Sequence, residues 1–168
     1  ADMLIAHLEE RKQRDPSLAI RILDETQAIL ETGGAIYTAL PLFKGEAFIT
    51  HNSDSLWVEG MGSALARLQA AWNPETMDAL MLLAPTARAL GYDGRGDFEM
   101  DGLGALKRRK PSMLAPFVWT GVQIMHPRLL DGAPGGKFAM GPYWDRAIQK
   151  GRLFGIRLDG QWLHVGTP

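Results

Sequence analysis

Apolar residues recur along the chain in two patterns, one typical of helices and one typical of strands. The helical pattern is clear at the start, where Leu4, Ile5 and Leu8 share one face of a predicted helix. The run at 77–85 is apolar almost throughout, as expected for a strand buried on both faces of a parallel sheet. The predicted helices are 1–15, 33–43, 61–72 and 141–151, and the predicted strands are 18–25, 46–54, 77–85 and 116–127.

Two later stretches favour hairpins. Residues 91–110 contain short strand-like pieces separated by Asp-Gly, and residues 152–166 have the pattern of a final hairpin. Helices and strands alternate before this antiparallel material, which predicts an α/β sandwich with a mixed, mostly parallel sheet. No internal repeat or linker is evident, so residues 1–168 are expected to form a single domain or part of one.

Composition and charge narrow the class of protein. Of the 168 residues, 46% are hydrophobic and 22% charged, which is ordinary for a globular domain. The net charge of −1 shows no excess of positive charge of the kind that binds nucleic acid. The sequence has no apolar run of membrane-spanning length and no signal-peptide pattern, which favours a cytoplasmic protein without a membrane partner. The chain begins without Met and inside a helix, so we expect either a processed start or a piece of a longer domain.

Polar residues cluster where predicted elements end, and ligands of open α/β sheets bind at such strand ends. The clusters at 31–34 and 52–54 are expected to converge on one rim of the sheet, and the other two could join them there. The four clusters are Glu31-Thr32-Gly33-Gly34, Asn52-Ser53-Asp54, Thr120-Gly121 and His164-Val165-Gly166-Thr167.

Asp54 follows a strand-like run and has two interpretations. As a ligand, its carboxylate would hold a hard cation such as Mg²⁺, which takes one or two protein carboxylates and completes its shell with water and substrate phosphate. As a structural residue, it would close an Asx-turn at the end of the strand. An isolated Asp favours the structural interpretation.

Thr32, Gly33 and Gly34 lie at the start of a predicted helix. Thr32 is predicted to be its N-cap. The two glycines would either let the backbone approach a flat ligand or form a tight turn into the helix.

Two further segments leave the same choice between ligand and turn. Thr120-Gly121 interrupts a strand, so either a ligand lies against it or the strand bulges there. Gly96-Asp97 would lie near a small polar substrate or in a hairpin turn. His126 and the basic run 107–110 are interpreted as structural and as a solvated face, respectively.

Several kinds of catalysis lack the residues that they need. Cysteine is absent, no Gly-x-Ser-x-Gly elbow occurs, and the four histidines lack metal-ligand spacing. A hydrolytic triad is therefore unsupported. A reaction whose nucleophile is already ionised, such as a phosphate oxygen, needs only positioning and charge neutralisation by a metal.

Five motifs in order resemble those of the sugar-1-phosphate nucleotidyltransferases. They are LETGGAIYTALPLF, FITHNSDSLW, YDGRGDF, FVWTGVQIMHP and WLHVGTP, and the resemblance extends over nearly the whole chain. Within that family the chain is most similar to bacterial N-acetylmuramate-1-phosphate uridylyltransferases and to mannose-1-phosphate guanylyltransferase-like proteins.

The resemblance implies a Rossmann-like, GT-A-like three-layer α/β sandwich. It also implies that a nucleoside triphosphate and a sugar 1-phosphate react, with Mg²⁺, to give a nucleoside diphosphate sugar and pyrophosphate. The expected substrates are UTP and N-acetylmuramate 1-phosphate. The implied site residues are Asp54 for the metal and catalysis, Gly33, Gly34 and Asn52 for the nucleotide, and Gly96, Asp97, Thr120 and Gly121 for the sugar.

The sequence departs from the family pattern in two places. The glycine-rich phosphate loop and the Pro-Lys-Pro that follows it do not occur, so a truncated domain is expected. His164 stands where many members carry a metal-binding Asp. It would bind the metal, act from a second layer, contact phosphate, or leave Asp54 as the sole carboxylate ligand. The alternatives are a guanylyltransferase or a non-catalytic module that binds a nucleotide or a sugar.

Overall fold

The computed structural model describes residues 2–26 and 28–166, which divide into two compact units. Unit 1 comprises the described residues of 1–42 together with 133–139. Unit 2 comprises 43–132 and the described residues from 140 onward. The single domain over 1–168 stays a prediction.

Unit 1 contains the helices α1 (Asp2–Arg14) and α2 (Glu31–Ala39), which confirms two of the predicted helices. The strand predicted at 18–25 is wrong, because none of these residues pairs with another described segment. An extended segment becomes a strand only when a neighbour accepts and donates its hydrogen bonds. Ile22 and Leu23 instead line a groove with the apolar face of α1.

The N-cap predicted at Thr32 is also wrong, since α2 begins at Glu31, two residues before the predicted start, and Leu30 occupies the cap position. No side chain caps this helix end. The amide of Gly34 donates instead to the carbonyl oxygen of Phe138 at 3.2 Å. A backbone carbonyl from another segment therefore replaces the hydroxyl cap that the sequence suggested.

Unit 2 contains eight strands and two α-helices among its described residues. The strands are β1 (Phe48–His51), β2 (Ser55–Glu59), β3 (Ala79–Pro85), β4 (Phe98–Met100), β5 (Leu106–Arg108), β6 (Phe117–Met125), β7 (Leu153–Arg157) and β8 (Gly160–His164). The helices are α3 (Ala64–Ala71) and α4 (Gly141–Gln149), and short 3₁₀ turns cover Thr86–Arg88 and Pro127–Leu130. A third 3₁₀ turn, Leu40–Phe43, begins in unit 1 and ends at the first residue of unit 2.

Six strands form the main sheet in the order β5-β4-β6-β3-β7, with β1 also paired to β6. The sheet is mixed, as predicted, but the expectation of mostly parallel pairing is wrong. Only the β3–β7 pair is parallel among the described strands. The reason is the central position of β6, which runs opposite to β1, β3 and β4 and so makes all three of those pairs antiparallel.

The hairpin predicted for 91–110 is confirmed by the β4–β5 pair, whereas the final hairpin predicted for 152–166 is wrong. β7 joins the main sheet, and β8 pairs with β2 in a separate two-stranded sheet. Leu158, which connects them, is buried, and its amide donates to the carbonyl oxygen of Leu83 at 2.7 Å. This anchor directs the chain from one sheet to the other.

The two helices of unit 2 cover opposite faces of the main sheet. Leu68 of α3 packs in one apolar cluster with Leu80 and Leu82 of β3. Trp144 of α4 donates through Nε1 to Gln123, which is paired in register with Met81 and so lies on the other face. The chain therefore has the α/β sandwich architecture expected from the sequence, with a mixed sheet between helices.

Candidate functional site

A cavity of about 170 Å³ in unit 2 collects most of the site residues predicted from the sequence. It lies where the main sheet meets the two-stranded sheet, so both sheets supply its walls. Its lining residues are Asn52, Asp54, Ser55, Tyr92, Asp97, Val118, Trp119, Thr120, Gly121, Trp162 and His164.

Asp54 and His164 lie side by side at one end of the two-stranded sheet. Asp54 belongs to the turn between β1 and β2, and the next residue, Ser55, is paired in register with His164. The position that a Cβ on Gly166 would take is 2.7 Å from Asp54 Oδ2 and 3.1 Å from His164 Cε1. The carboxylate and the imidazole therefore face the same small space. The turn interpretation and the ligand interpretation of Asp54 are compatible in this geometry.

Ser55 ties the two sheets together beneath the cavity. Its hydroxyl is buried, donates to the carbonyl oxygen of Thr120 and accepts from Trp162 Nε1 at 2.8 Å. The Thr120 hydroxyl donates in turn to the carbonyl oxygen of Leu82 at 2.8 Å. These bonds connect β8, β2, β6 and β3, so the cavity walls are fixed relative to one another.

β6 bulges at Gly121, which decides part of the choice left open by the sequence. The pairing of β3 with β6 shifts between Met81 and Leu83, and Gly121 has a φ of +86°. A Cβ there would lie only 2.8 Å from the Cβ of Asn52. The backbone N–H of Asn52 donates to the Gly121 carbonyl oxygen at 3.0 Å. Glycine is needed because Asn52 packs directly against the bulge. Whether a ligand also contacts Gly121 stays a prediction.

Asp97 is held in the cavity wall by backbone hydrogen bonds. Its Oδ2 accepts from the Trp119 amide at 2.9 Å, and its own amide donates to the Phe117 carbonyl oxygen at 2.7 Å. Gly96 precedes it with a φ of +74° and is buried rather than exposed to the cavity. Gly96 therefore contributes backbone geometry, while Asp97 contributes a carboxylate.

Tyr92 packs among the aromatic residues of the cavity wall. Its ring centroid lies 5.9 Å from that of Trp162 and 6.5 Å from that of His164. The Tyr92 hydroxyl accepts a hydrogen bond from the Gly96 amide at 3.0 Å. Burial, followed by the negative charge of Asp97, raises the pKa of Tyr92 above its ordinary value, so the hydroxyl keeps its proton at neutral pH.

Gly33 and Gly34 lie in unit 1, where both are buried at the start of α2. A Cβ at Gly33 would collide with the ring of Phe138, and one at Gly34 would collide with the carbonyl oxygen of Gly136. The close approach of another backbone explains why both positions are glycine. The nucleobase contact implied by the resemblance stays a prediction.

His126 and the basic run 107–110 both make structural contacts. The His126 Nδ1 accepts from the Arg128 amide at 3.1 Å, in keeping with a structural role. Within the basic run, Arg108 pairs with Asp145 at 2.6 Å, and Arg109 donates to four backbone carbonyl oxygens. This run is therefore partly engaged in structure rather than a freely solvated face.

Known proteins are similar to the chain in sequence and in fold. The chain is 38% identical, over its whole length, to the N-acetylmuramate alpha-1-phosphate uridylyltransferase of Caulobacter vibrioides, and it spans 69% of that protein. The chain belongs to the sugar-1-phosphate nucleotidyltransferases. It is also 30% identical to the protein of the same name from Neisseria meningitidis serogroup B, a match that covers 82% of the chain and 58% of that protein.

The fold of this nucleotidyltransferase chain matches that of a solved enzyme. Against the inositol-1-phosphate CTP transferase from T. maritima, the TM-score is 0.70 at 14% identity, with 96% of the chain and 66% of that structure covered. No protein-family model matches the chain. The chain thus spans between 58% and 69% of the length of these three proteins. Across residues 2–26 and 28–166, no helix is both long and apolar enough to span a membrane.

The nucleotidyltransferase cavity offers few side chains that could bind a hard divalent cation. Within the described part of the chain, no group of three or more His, Asp or Glu side chains is placed to hold a metal. Asp54 and His164 are a pair, and Asp97 lines the same cavity. One carboxylate is compatible with Mg²⁺, because this ion takes few protein ligands and binds water and phosphate as well.

Sequence reasoning missed three residues of this nucleotidyltransferase cavity that the structure makes prominent: Ser55, Tyr92 and Trp162. All three lie in motifs that the sequence analysis singled out. Ser55 directly follows Asp54, and Tyr92 belongs to the same Gly- and Asp-rich stretch as Asp97. Trp162 begins the WLHVGTP motif, but its place in the cavity depends on the pairing of β8 with β2, which the sequence did not predict.

Proposed function

We propose that the protein carrying this sequence transfers a uridylyl group from UTP to N-acetylmuramate 1-phosphate, forming a nucleoside diphosphate sugar and pyrophosphate. The observation that carries the proposal is the convergence of Asn52, Asp54, Asp97, Thr120 and His164 on one cavity. The 38% identity to a relative of that name supports the choice of substrates.

The reaction requires no covalent bond between the substrates and the protein. A phosphate oxygen of the sugar 1-phosphate attacks the α-phosphorus of the nucleotide, and pyrophosphate leaves with the electron pair of the bond that breaks. Because the attacking oxygen is already ionised, no protein base is required, and catalysis rests on positioning and charge stabilisation. A divalent cation, when bound, supplies that charge stabilisation.

Asp54 is the residue proposed to hold the cation, with His164 beside it. Asp54 is exposed at the cavity, and none of the described side chains donates a hydrogen bond to its carboxylate. Its oxygens are therefore available to a cation. The imidazole of His164 faces the same space and would bind the ion directly or contact a phosphate oxygen.

The sugar and nucleotide are assigned to different groups of residues. Asp97, Thr120 and Gly121 line the cavity and are assigned to the sugar. Asn52, at the same cavity, is assigned to the nucleotide. Gly33 and Gly34 of unit 1 are proposed to contact the nucleobase, and Gly96 supports the sugar site through its backbone.

Replacement of Asp54 tests the proposal most directly. In the natural protein that contains this sequence, Asp54→Asn is expected to lower pyrophosphate release at least about 100-fold, because the variant loses the charge that holds the cation. Mg²⁺ or Mn²⁺ affinity, measured by calorimetry, should fall in parallel. The thermal midpoint should not change, since Asp54 is exposed.

Asp131→Asn is a matched control, because Asp131 is an exposed acid of unit 2 outside the cavity. It should keep wild-type turnover and metal affinity. The wild-type protein is assayed with UTP, GTP and CTP against N-acetylmuramate 1-phosphate, mannose 1-phosphate and glucose 1-phosphate. Absence of pyrophosphate with every pair would overturn the enzyme proposal.

One observation favours a second candidate, a module that binds sugar or nucleotide without catalysis. The cavity lining contains no Lys or Arg among the described residues, although a triphosphate requires positive charge. Such a module would bind a UDP-sugar while releasing no pyrophosphate from UTP. Binding and turnover measured on the same preparation separate the two candidates.

A further inference from the structure

The ring of Tyr92 is fixed in the cavity wall by packing. It contacts the apolar core cluster of unit 2 and lies close to Trp162 and His164. Both of these neighbours belong to β8, whereas Tyr92 belongs to the loop that leads into β4. The Tyr92 ring is therefore held against β8 before any ligand arrives.

The Tyr92 hydroxyl has one hydrogen-bonding capacity committed and one remaining. The oxygen accepts from the Gly96 amide at 3.0 Å. A phenol also carries a proton to donate, and no described residue accepts a hydrogen bond from it. Tyr92 is one of the residues that line the cavity.

Asp97 supplies the complementary group in the same cavity. Its Oδ2 accepts from the Trp119 amide at 2.9 Å, which orients the carboxylate, and no described group donates to Oδ1. The negative charge of Asp97 acts on Tyr92 strongly enough to help raise the pKa of the phenol. The pair therefore consists of a neutral donor and a charged acceptor held on the same loop.

This pairing matches the chemistry of a sugar hydroxyl. Each hydroxyl group of a sugar both donates and accepts a hydrogen bond, so a site that binds it needs one acceptor and one donor close together. Trp119 and Trp162 also line the cavity, where Trp162 is buried and the Trp119 ring packs on Trp144. A phosphate would be a poor fit for this part of the cavity because Asp97 would repel it.

We infer that Tyr92 is a sugar-binding residue that selects the sugar 1-phosphate, its hydroxyl donating to a ring hydroxyl group while Asp97 accepts from the same group or its neighbour. This inference rests on the proposed function. It assigns to Tyr92 a role in substrate affinity and none in the transfer of the phosphoryl group.

The test uses Tyr92→Phe, which removes only the hydroxyl and keeps the ring packed against Trp162. Tyr143→Phe, on α4 outside the cavity, is the matched control. The natural protein is titrated with N-acetylmuramate 1-phosphate and, separately, with UTP. Tyr92→Phe should bind the sugar 1-phosphate about tenfold more weakly, as expected for one lost hydrogen bond to a neutral donor. It should bind UTP as the wild type does.

A second measurement separates sugar binding from a structural effect. Deoxy analogues of the sugar 1-phosphate are compared in the wild type and in Tyr92→Phe. The analogue that lacks the contacted hydroxyl should bind both proteins with equal affinity. In Tyr92→Phe combined with Asp97→Asn, the loss should be smaller than the product of the two single losses, because both residues bind one group.

The outcomes distinguish this inference from the proposed function. If Tyr92→Phe binds the sugar 1-phosphate as tightly as the wild type while Asp97→Asn binds it weakly, the role of Tyr92 is refuted and the proposed function stands. If UTP affinity falls together with sugar affinity, Tyr92 is only structural and the inference is again refuted. If the wild type binds no sugar 1-phosphate, the proposed function itself fails.

Discussion

Gly121 shows how much of the site depends on one residue without a side chain. Its φ of +86° forms the bulge in β6, and the Cβ of Asn52 lies 2.8 Å from the position that a Cβ on Gly121 would take. A left-handed backbone conformation strains any other residue, and the contact with Asn52 adds steric overlap. Gly45 has nearly the same φ, +85°, but no atom lies within 4 Å of its Cβ position.

These two glycines allow backbone strain to be separated from site geometry. Gly45→Ala should cost about 1 kcal/mol of unfolding free energy, from strain alone. Gly121→Ala should cost about 1–3 kcal/mol more, because Asn52 must move. Urea unfolding measures both values, and only Gly121→Ala should weaken binding of the sugar 1-phosphate and, through Asn52, of the nucleotide. Equal stability losses in the two variants would show that the Asn52 contact carries no energy.

Among the secondary-structure elements, hydrogen bonds to Asp78 connect the beginnings of the neighbouring strands β3 and β7. It precedes β3, and its Oδ1 accepts from Arg152, just before β7, and from Arg128, just after β6, each at 2.8 Å. Burial acts to raise the pKa of Asp78, but hydrogen bonds from Arg152 and Arg128 and the charges of both arginines outweigh it and lower the pKa below 3.8.

The sign of this shift fixes the pH at which the cluster stabilises the fold. A lowered folded pKa means that the stabilisation is present above the unfolded pKa of about 3.8 and is lost as the pH falls through the folded value. Asp78→Asn should therefore lower the free energy of unfolding by about 3 kcal/mol at pH 7. It should also flatten the loss of stability below about pH 4.

Unfolding curves between about pH 2 and pH 7 measure this effect, with Asp131→Asn as the exposed-acid control. The prediction is contradicted if the wild type and Asp78→Asn lose stability in parallel below about pH 4, because another carboxylate would then be responsible for the acid sensitivity.

Most helices and several strands could be predicted from the sequence. Helices α1, α3 and α4 and strands β1, β3 and β6 were predictable because each shows its own periodicity or apolar run. Asp54 and Asp97 were predictable as candidates because both are polar residues at the edges of such elements. The α/β class followed from the order of these elements.

The errors concern partners rather than local pattern. Residues 18–25 have strand composition but no described strand beside them, and β8 has hairpin spacing but pairs with β2, about a hundred residues earlier. The start of α2 depends on the carbonyl oxygen of Phe138, also about a hundred residues away. Pairings across such distances leave no local trace in one sequence, and the place of Trp162 in the cavity depends on one of them.

At the scale of the whole molecule, Ser55 is the link between the two sheets of unit 2. Its hydroxyl connects Trp162 of the small sheet with Thr120 of the main sheet. Ser55→Ala would leave the buried Trp162 N–H and a buried carbonyl oxygen without this partner. We expect a loss of about 1–3 kcal/mol in unfolding free energy.

Ligand affinity should fall with Ser55→Ala even though the methyl side chain blocks nothing, because the walls that carry Asp54 and Thr120 are no longer fixed together. Denaturant unfolding and calorimetric binding to the sugar 1-phosphate measure the two effects. Ser53→Ala is the control, since Ser53 is exposed in the adjoining turn. If Ser55→Ala keeps wild-type stability and affinity, the link between the sheets is unimportant.

The placement of the cavity walls on two separate sheets has a thermodynamic consequence. Asp54 and His164 belong to the small sheet and its turn, whereas Asp97 and Thr120 belong to the main sheet and the loop that leads into it. A ligand that touches both walls is a cross-link between two hydrogen-bonded ladders. Its binding opposes separation of the ladders as well as global unfolding, and at about 100 times its dissociation constant it adds about 2.7 kcal/mol to the free energy of unfolding. Substrate saturation would then make the two sheets melt as one cooperative body.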